Sequence, residues 1–387
     1  MLPYTSPIPF RRALRAVILP ALVSRAGVLA VGLLAATAIG YDPAPNPSAL
    51  WRVADDPLRN LLARWDTFWY FDIATRGYHW NGNPLEQQNV VFFPLLPMLM
   101  HAGGRALGGH PLIAGLVLSL AAFPCALAYL WRWTAERRGE RTADTAVALL
   151  CAFPFAVFFS TVYTESLFLL AMLGAWHHAE RGELARAGAF GFAGGLLRPN
   201  GGLLAVPLAW ILLAQRGSPL GTVGSAKAFA LRTLVISAPL LGTLAYSAYL
   251  ARHVGDGFAW ISGQAAWPTI APWGAQPPPE PGPPGPLDLW SVAIHVANAF
   301  ALILALCALG PSTRRLGGAC GLLLLANLAP PVARHGLQSL GRFTSVLFPI
   351  FVWLAERAGS RRRVWIAAFA AAQIVAAILF FTWRPVV

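Results

Sequence analysis

From Ala16 to Gly40 the chain carries one charged residue, Arg25, in a run of apolar side chains longer than the core of a cleavable signal peptide. Such a run is long enough to cross a bilayer as a helix. Similar runs recur to the end of the sequence, separated by short arginine-bearing connections. With 57% hydrophobic and 12% charged residues in 387, the chain has too little polar surface to coat a water-soluble globule. The formal charge of +13 would suggest nucleic acid in a soluble protein. Here the basic residues fall between apolar runs, as positive-inside anchoring requires, so nucleic acid is not an expected partner.

The pattern predicts an all-α membrane protein: a polytopic helical bundle forming one membrane-embedded domain over residues 1–387. Helices near 16–40, 111–133, 143–160, 165–180, 184–198, 201–215, 229–251, 290–310, 316–333, 343–356 and 364–383 give about eleven spans. Basic residues sort onto alternate connections: Arg11, Arg12 and Arg15; Arg137, Arg138 and Arg141; Arg181 and Arg186; Arg216 and Lys227; Arg314 and Arg315; Arg357, Arg361, Arg362 and Arg363. Those ends are expected to be cytoplasmic, with an inside N-terminus and an outside C-terminus. Lys227 is the sole lysine, and the Ala, Gly, Pro and Arg bias is that of a high-GC bacterial genome, so the plasma (inner) membrane is expected. Arg25 must face other protein or snorkel, because a mid-membrane charge costs roughly 2.5–3.5 kcal/mol. Cys125, Cys151, Cys307 and Cys320 sit in apolar stretches without metal-ligand spacing and read as packing residues.

Unusual residues collect on the opposite face. The first extracytoplasmic loop, 41–110, is too long for a simple connection and holds Asp42, Asp55, Asp56, Asp66, Asp72 and Glu86 among many aromatics. The apolar stretch from Val90 to Met100 is too short to span and predicts an amphipathic interfacial helix. A second extracytoplasmic loop, 254–289, carries the proline-rich tract 277–286, which favours extended polyproline conformation. No internal repeat of the kind that marks many transporters is apparent.

Asp66 opens the candidate site. If the segment after Arg64 is helical, Asp66 shares a face with Trp69 and Tyr70 at i+3 and i+4, a carboxylate beside aromatic surface suited to a base next to a sugar or lipid chain. Trp65 belongs to the same motif. An unpaired acid near the membrane surface is costly to keep without a use, which favours Asp66 as the catalytic residue. Asp72 lies about 240° from Asp66 around a helix and reads as half of a surface ion pair with Arg76. In Tyr163-Thr164-Glu165-Ser166, Thr164 is a plausible N-cap with Glu165 in the first turn; the same residues also suit acceptor binding or site orientation. Arg198 and Asn200 lie at an outer turn, where Arg198 could snorkel or grip a phosphate bidentately. His335 and Arg342 precede the tenth expected span, and Arg342 suits a lipid phosphate at a helix head. His177 and His178, at the other end, read as interfacial residues, and the glycines of 191–195 as close helix packing.

An outer carboxylate with outer arginines points to transfer from a donor whose leaving group is a phosphate and whose body is a lipid. No Asp-x-Asp motif of the kind that places a metal on a nucleotide diphosphate occurs in the chain, so neither metal nor cofactor is expected. Asp66 would take the proton of an acceptor hydroxyl while Arg342, with Arg198, holds the departing phosphate, inverting the sugar carbon. The expected partners are a polyprenyl-phosphate sugar donor, a lipid or glycan acceptor and membrane lipids. The rival is a multi-pass transporter or lipid flippase, which should carry ionisable residues at mid-membrane; apart from Arg25 they crowd one rim.

At these residues the chain resembles the membrane mannosyltransferases that add the second mannose to glycosylphosphatidylinositol anchors, and their bacterial relatives, in the GT-C superfamily. The matching elements are Trp65-Asp66, Trp69-Tyr70, Ile73-Ala74, Gly77-Tyr78, Phe92-Phe93-Pro94-Leu95-Leu96-Pro97, Tyr163-Thr164-Glu165-Ser166, Arg198-Pro199-Asn200-Gly201 and Arg342-Phe343 with Phe348-Pro349. The resemblance implies a GT-C-like bundle, a dolichyl- or polyprenyl-phosphate-mannose donor, and an essential Asp in the first luminal or periplasmic loop, which falls on Asp66. A bacterium would have no glycosylphosphatidylinositol anchor, so the acceptor of the eukaryotic enzymes does not carry over.

Overall fold

The computed structural model describes residues 8–41, 60–61, 63–214, 226–267 and 289–384. Asp42, Asp55, Asp56 and the proline-rich tract lie outside them. Among the described residues the chain is helical, with no strand.

Helix α1 (Phe10–Ala38) buries one stripe, Ala13, Val17, Ala21, Arg25, Val28, Gly32 and Ala35, at the three- and four-residue spacing of a single helix face. Its other faces turn Leu19, Leu22, Val23 and Leu34 outward. An apolar exterior of this kind suits lipid and not water. Three helices follow: α2 (Thr67–Arg76), α3 (Leu95–Ala106) and α4 (Pro111–Arg138). The interfacial helix expected over Val90 to Met100 lies later, as α3, which starts after Pro94; ahead of it Asn89–Val91 form a 3-10 turn and Phe92 is extended.

Helix α4 ends at Gly139, whose φ of 83° lets the chain reverse into α5 (Glu140–Ala152). Pro154 then stops α5, and the 3-10 segment Pro154–Ser160 leaves at 81°. A break inside a membrane strands carbonyl groups that water cannot reach. Arg25 answers this: its guanidinium donates to the carbonyls of Cys151 (2.7 Å) and Ala156 and to the Ser160 hydroxyl (3.0 Å), while Gln373 donates to the carbonyls of Cys151 and Phe153. The mid-membrane arginine therefore faces protein, and holds the break.

Helix α6 (Glu165–Glu180) is apolar all round and buried along most of its length, as the centre of a bundle should be. Helices α7 (Leu184–Gly195), α8 (Ala205–Ala214) and α9 (Ala226–His253) follow. The α7 and α9 backbones touch: a Cβ on Gly195 would lie 1.9 Å from the Pro239 carbonyl oxygen, and one on Gly242 2.3 Å from that of Phe192. The glycines of 191–195 thus serve close helix packing. Helices α10 (Leu289–Arg315), α11 (Gly318–His335), α12 (Leu340–Ser345), α13 (Phe348–Ala358) and α14 (Arg362–Phe381) complete the chain.

Among the described residues, five stretches are long and apolar enough to cross a membrane, or six with the bent pair at Pro154. One of them, Phe348–Phe381, is a hairpin: the Phe153 ring lies 5.2 Å from Phe351 and 5.5 Å from Phe369. A straight helix would set those two about 27 Å apart. Other expected spans correspond to shorter helices such as α6 and α7, so the count of about eleven crossings is not established by length. The basic clusters do gather at one end. Arg12 pairs with Glu140, Arg137 with Glu180, Arg138 with Glu356, and Arg181 with Glu136, and Arg138 also donates to the Arg315 carbonyl.

Candidate active site

At the other end, four segments distant in sequence meet. Arg64 is fully buried and anchors the first: its Nε donates to the Phe381 carbonyl (3.0 Å), its Nη2 to the Tyr41 hydroxyl (3.1 Å), and its guanidinium lies over the Tyr41 and Trp383 rings. Trp65 follows in the left-handed region at φ 51°, a strained conformation for a bulky residue. Its indole donates to the Phe380 carbonyl (3.3 Å) and packs on Trp383. This kink turns the chain so that Asp66 sits at the N-cap position of α2. The Asp66 backbone N–H donates to the Tyr163 hydroxyl (3.0 Å), leaving its carboxylate to reach Arg342.

Arg342 is delivered by α12, which starts after Ser339, also left-handed at φ 60°. The Asn298 side-chain carbonyl accepts the Gly341 N–H at 2.8 Å, and Gly341 packs against the Phe155 ring so closely that a Cβ would stand 2.1 Å from it. The Arg342 guanidinium lies over the rings of Tyr163 and Phe158 and donates through Nη1 to Asp66 and through Nε to Glu165. Glu165 in turn stands 3.3 Å from Nη1 of Arg198, whose guanidinium covers the Phe343 face at 5.0 Å. The result is a row of alternating charge, Asp66, Arg342, Glu165, Arg198, drawn from four chain segments.

Several expectations change here. Asp66 is not unpaired; Arg342 neutralises it. Thr164 occupies the N-cap position of α6 without a side-chain capping bond, and the Glu165 carboxylate turns toward the arginines. Arg198 does not snorkel, its side chain being 6% exposed. Asp72 is no surface pair: it is buried, accepting from Asn89 at 2.8 Å as well as from Arg76, and so pins the loop 77–89 to α2. Trp69 and Tyr70 are buried in an aromatic wall with Phe92, Trp267 and Tyr163 behind Asp66. Asn200 donates to Asn327 of α11 at 2.9 Å. His335 ends α11, and its side chain lies outside the described residues.

The site's electrostatics follow from burial. For Arg342, desolvation alone would lower the pKa; the carboxylates of Glu165 and Asp66 outweigh it and hold the guanidinium well above its usual value. Burial, with Asp66 nearby, raises the Tyr163 phenol well above its ordinary range. Tyr70 is pushed up to about 12, again chiefly by burial. Both phenols therefore stay protonated at neutral pH. Asp66, 26% exposed, is the more open of the two carboxylates, since Glu165 is fully enclosed. Four buried polar atoms here make no hydrogen bond among the described residues: Thr164 Oγ1, Glu165 Oε2, Asn200 Oδ1, and Arg198 Nη1, which stands 3.3 Å from Glu165 as an ion pair. Buried atoms of this kind are unusual away from ligand sites. No described group of three or more His, Cys, Asp or Glu residues could hold a metal ion.

Arg64, Asn298 and Asn327 were not foreseen from sequence. A polar side chain inside an apolar run, as Asn298 and Asn327 are, is the signal that could have found two of them.

A family model described as mannosyltransferase (PIG-V) matches residues 35–251, more than half of the chain. That stretch includes Asp66, Glu165 and Arg198. No curated protein sequence matches. Among solved structures, the Archaeoglobus fulgidus oligosaccharyltransferase is similar in its apo form, with a TM-score of 0.44, 13% identity, and coverage of 96% of this chain and 55% of that one. The same protein in complex with zinc and sulfate gives a TM-score of 0.40, 12% identity, and coverage of 92% and 53%. The chain thus spans about half the length of that protein.

Proposed function

Since the chain belongs to the mannosyltransferase (PIG-V) family, we propose that it moves mannose from a polyprenyl-phosphate-mannose donor to a lipid-linked or cell-envelope acceptor, with inversion at the sugar carbon. The observation that carries this reading is the Asp66–Arg342–Glu165–Arg198 row. In the reaction, Asp66 accepts the proton of the acceptor hydroxyl as that oxygen bonds to the anomeric carbon, and the bond from that carbon to the phosphate oxygen breaks. The electron pair leaves with the polyprenyl phosphate. Arg342 holds Glu165 through Nε and Asp66 through Nη1, so its Nη2, joined by Nη1 once the phosphate displaces Asp66, is available to phosphate oxygens. Arg198, ion-paired through Nη1 to the same Glu165, is the second cation for that phosphate. Trp65, with Trp69, Tyr70 and Tyr163 behind Asp66, walls the sugar side, and Asn200 and His335 stand as candidate substrate contacts.

The site lies at the end of the bundle away from the arginine clusters, which by the positive-inside rule supports an extracytoplasmic active site and an inside N-terminus; the plasma membrane is the proposed residence. The test is incubation of the purified protein with polyprenyl-phosphate mannose and a membrane lipid extract, followed by mass spectrometry for a hexose-bearing product. Transfer from a nucleotide-linked mannose but not from the lipid donor would overturn the donor assignment. Asp66→Asn should lose about 10²- to 10⁴-fold in rate while remaining folded. Full retained activity would reject Asp66 as the base.

A further inference from the structure

The other end of α6 opens on a second polar site. From Glu165 to His177 the helix rises about 18 Å, and there a cavity of about 500 Å³ is lined by Arg132, Arg181, Arg186 and His178, with the rings of Phe10 and Tyr129 on its wall. The cations outnumber their partners. Glu136, its side chain fully buried, accepts from both Arg132 Nε (3.0 Å) and Arg181 Nη2 (2.7 Å). Glu183 accepts from Arg186 Nη1 and His178 Nδ1 at 2.7 and 2.8 Å. Three guanidiniums thus face two carboxylates. Among the described residues Arg132 donates only through Nε and Arg186 only through Nη1, so their remaining N–H groups are free for another acceptor.

The surroundings narrow what that acceptor belongs to. The Phe10 ring packs on Tyr129 at 4.9 Å, and above it α1 turns Ile18, Leu19 and Leu22 outward. A basic pocket with aromatic rings on one side and an apolar helix face running away from it matches a phosphate head joined to acyl chains, whereas a soluble anion would use the cations alone. We propose that this cavity binds the phosphate of an anionic membrane lipid, gripped by Arg132 and Arg186. The inference uses no residue of the Asp66 site and stands apart from the transferase reading.

The test compares the purified protein in neutral detergent with phosphatidylglycerol, phosphatidylcholine and inorganic phosphate at matched phosphate concentration and ionic strength. Native mass spectrometry reads bound lipid, and the thermal midpoint reads stabilisation. Phosphatidylglycerol should be retained preferentially and raise the midpoint. Arg132→Gln and the surface variant Arg186→Gln should each weaken that retention by about tenfold, the loss of one charge-assisted contact, and Arg186→Lys should restore most of it. Equal retention of the two lipids, or retention unchanged in folded Arg186→Gln, would overturn the proposal. Stabilisation by inorganic phosphate equal to that by phosphatidylglycerol would assign the cavity to a soluble anion and overturn it too.

Discussion

Neutralising Glu165 should strand one buried arginine, and the cost can be worked from the row of charges. Two acids and two arginines alternate, so the four are neutral together. Glu165→Gln leaves Arg342 with Asp66 as counterion, but leaves Arg198, only 6% exposed, with none. Removing one partner of a buried pair costs ~3–5 kcal/mol, since the remaining charge is neither solvated nor compensated. The Phe343 and Phe168 faces beside Arg198 soften this; a desolvated cation–π contact contributes up to about 2 kcal/mol. The expected loss is therefore near the low end, about 3 kcal/mol. Adding Arg198→Gln removes the stranded charge and should recover about 1–3 kcal/mol. The assay is reversible unfolding in mixed micelles by SDS titration, run as a double-mutant cycle. A double variant whose loss equals the sum of the single losses within about 0.5 kcal/mol would refute the electrostatic coupling of Glu165 and Arg198.

Gly195→Ala drives a methyl group into the Pro239 carbonyl and should destabilise by about 1–3 kcal/mol. Gly27→Ala, with nothing within 4 Å of the new Cβ, should be neutral or stabilise by about 0.5–1 kcal/mol; equal thermal midpoints for the two variants would contradict the close α7–α9 contact. Arg25→Met frees the Ala156 carbonyl and one bond to Cys151, at about 1–3 kcal/mol for each group left unsatisfied. A thermal midpoint at or above that of the parent protein would show that the arginine is not needed at the helix break. The Tyr70 phenol is raised from 10.0 to about 12, chiefly by burial. Stability present below about pH 10 should then be lost as pH climbs toward 12, because the unfolded chain ionises first. Tyr70→Phe should flatten that alkaline limb, and an unaltered limb in a pH series of thermal midpoints would rule the assignment out.

The helical, membrane-embedded architecture was legible because apolar runs and arginine-bearing connections are local features. The arginine clusters that the sequence sorted onto one side do meet through Arg138, Glu356 and Glu136. Span boundaries were less legible. The 81° break at Pro154 does not interrupt the hydropathy and falls inside the single span expected over 143–160. The reversal at Gly359, by contrast, lies in the arginine cluster that already separated the expected spans 343–356 and 364–383, and the packing of Phe153 against both Phe351 and Phe369 shows that the last stretch folds back there. Of the site, Asp66, Glu165, Arg198 and Arg342 were each singled out from sequence, yet their pairing was not. Asp66 and Arg342 are 276 residues apart, and no spacing rule reaches that far. The positive φ of Trp65 and Ser339 was equally hidden, because neither residue type announces a left-handed turn.

The two ends of α6 invert one arrangement. At the far end a single carboxylate, Glu136, is shared by two arginines, and the cluster stays positive. At the candidate active site a single arginine, Arg342, is shared by two carboxylates, and the row is neutral. A neutral row has little long-range pull on an anion, so on the proposed reading the donor phosphate binds by exchange: it takes Arg342 from the more exposed acid, Asp66, while enclosed Glu165 keeps its hold on Nε. Phosphate arrival then does two things at once. It places the leaving group against Arg342, and it frees the Asp66 carboxylate to accept the proton of an acceptor hydroxyl. A base that is unmasked only when the donor is seated has little opportunity to act on water beforehand, which is what transfer in preference to hydrolysis requires.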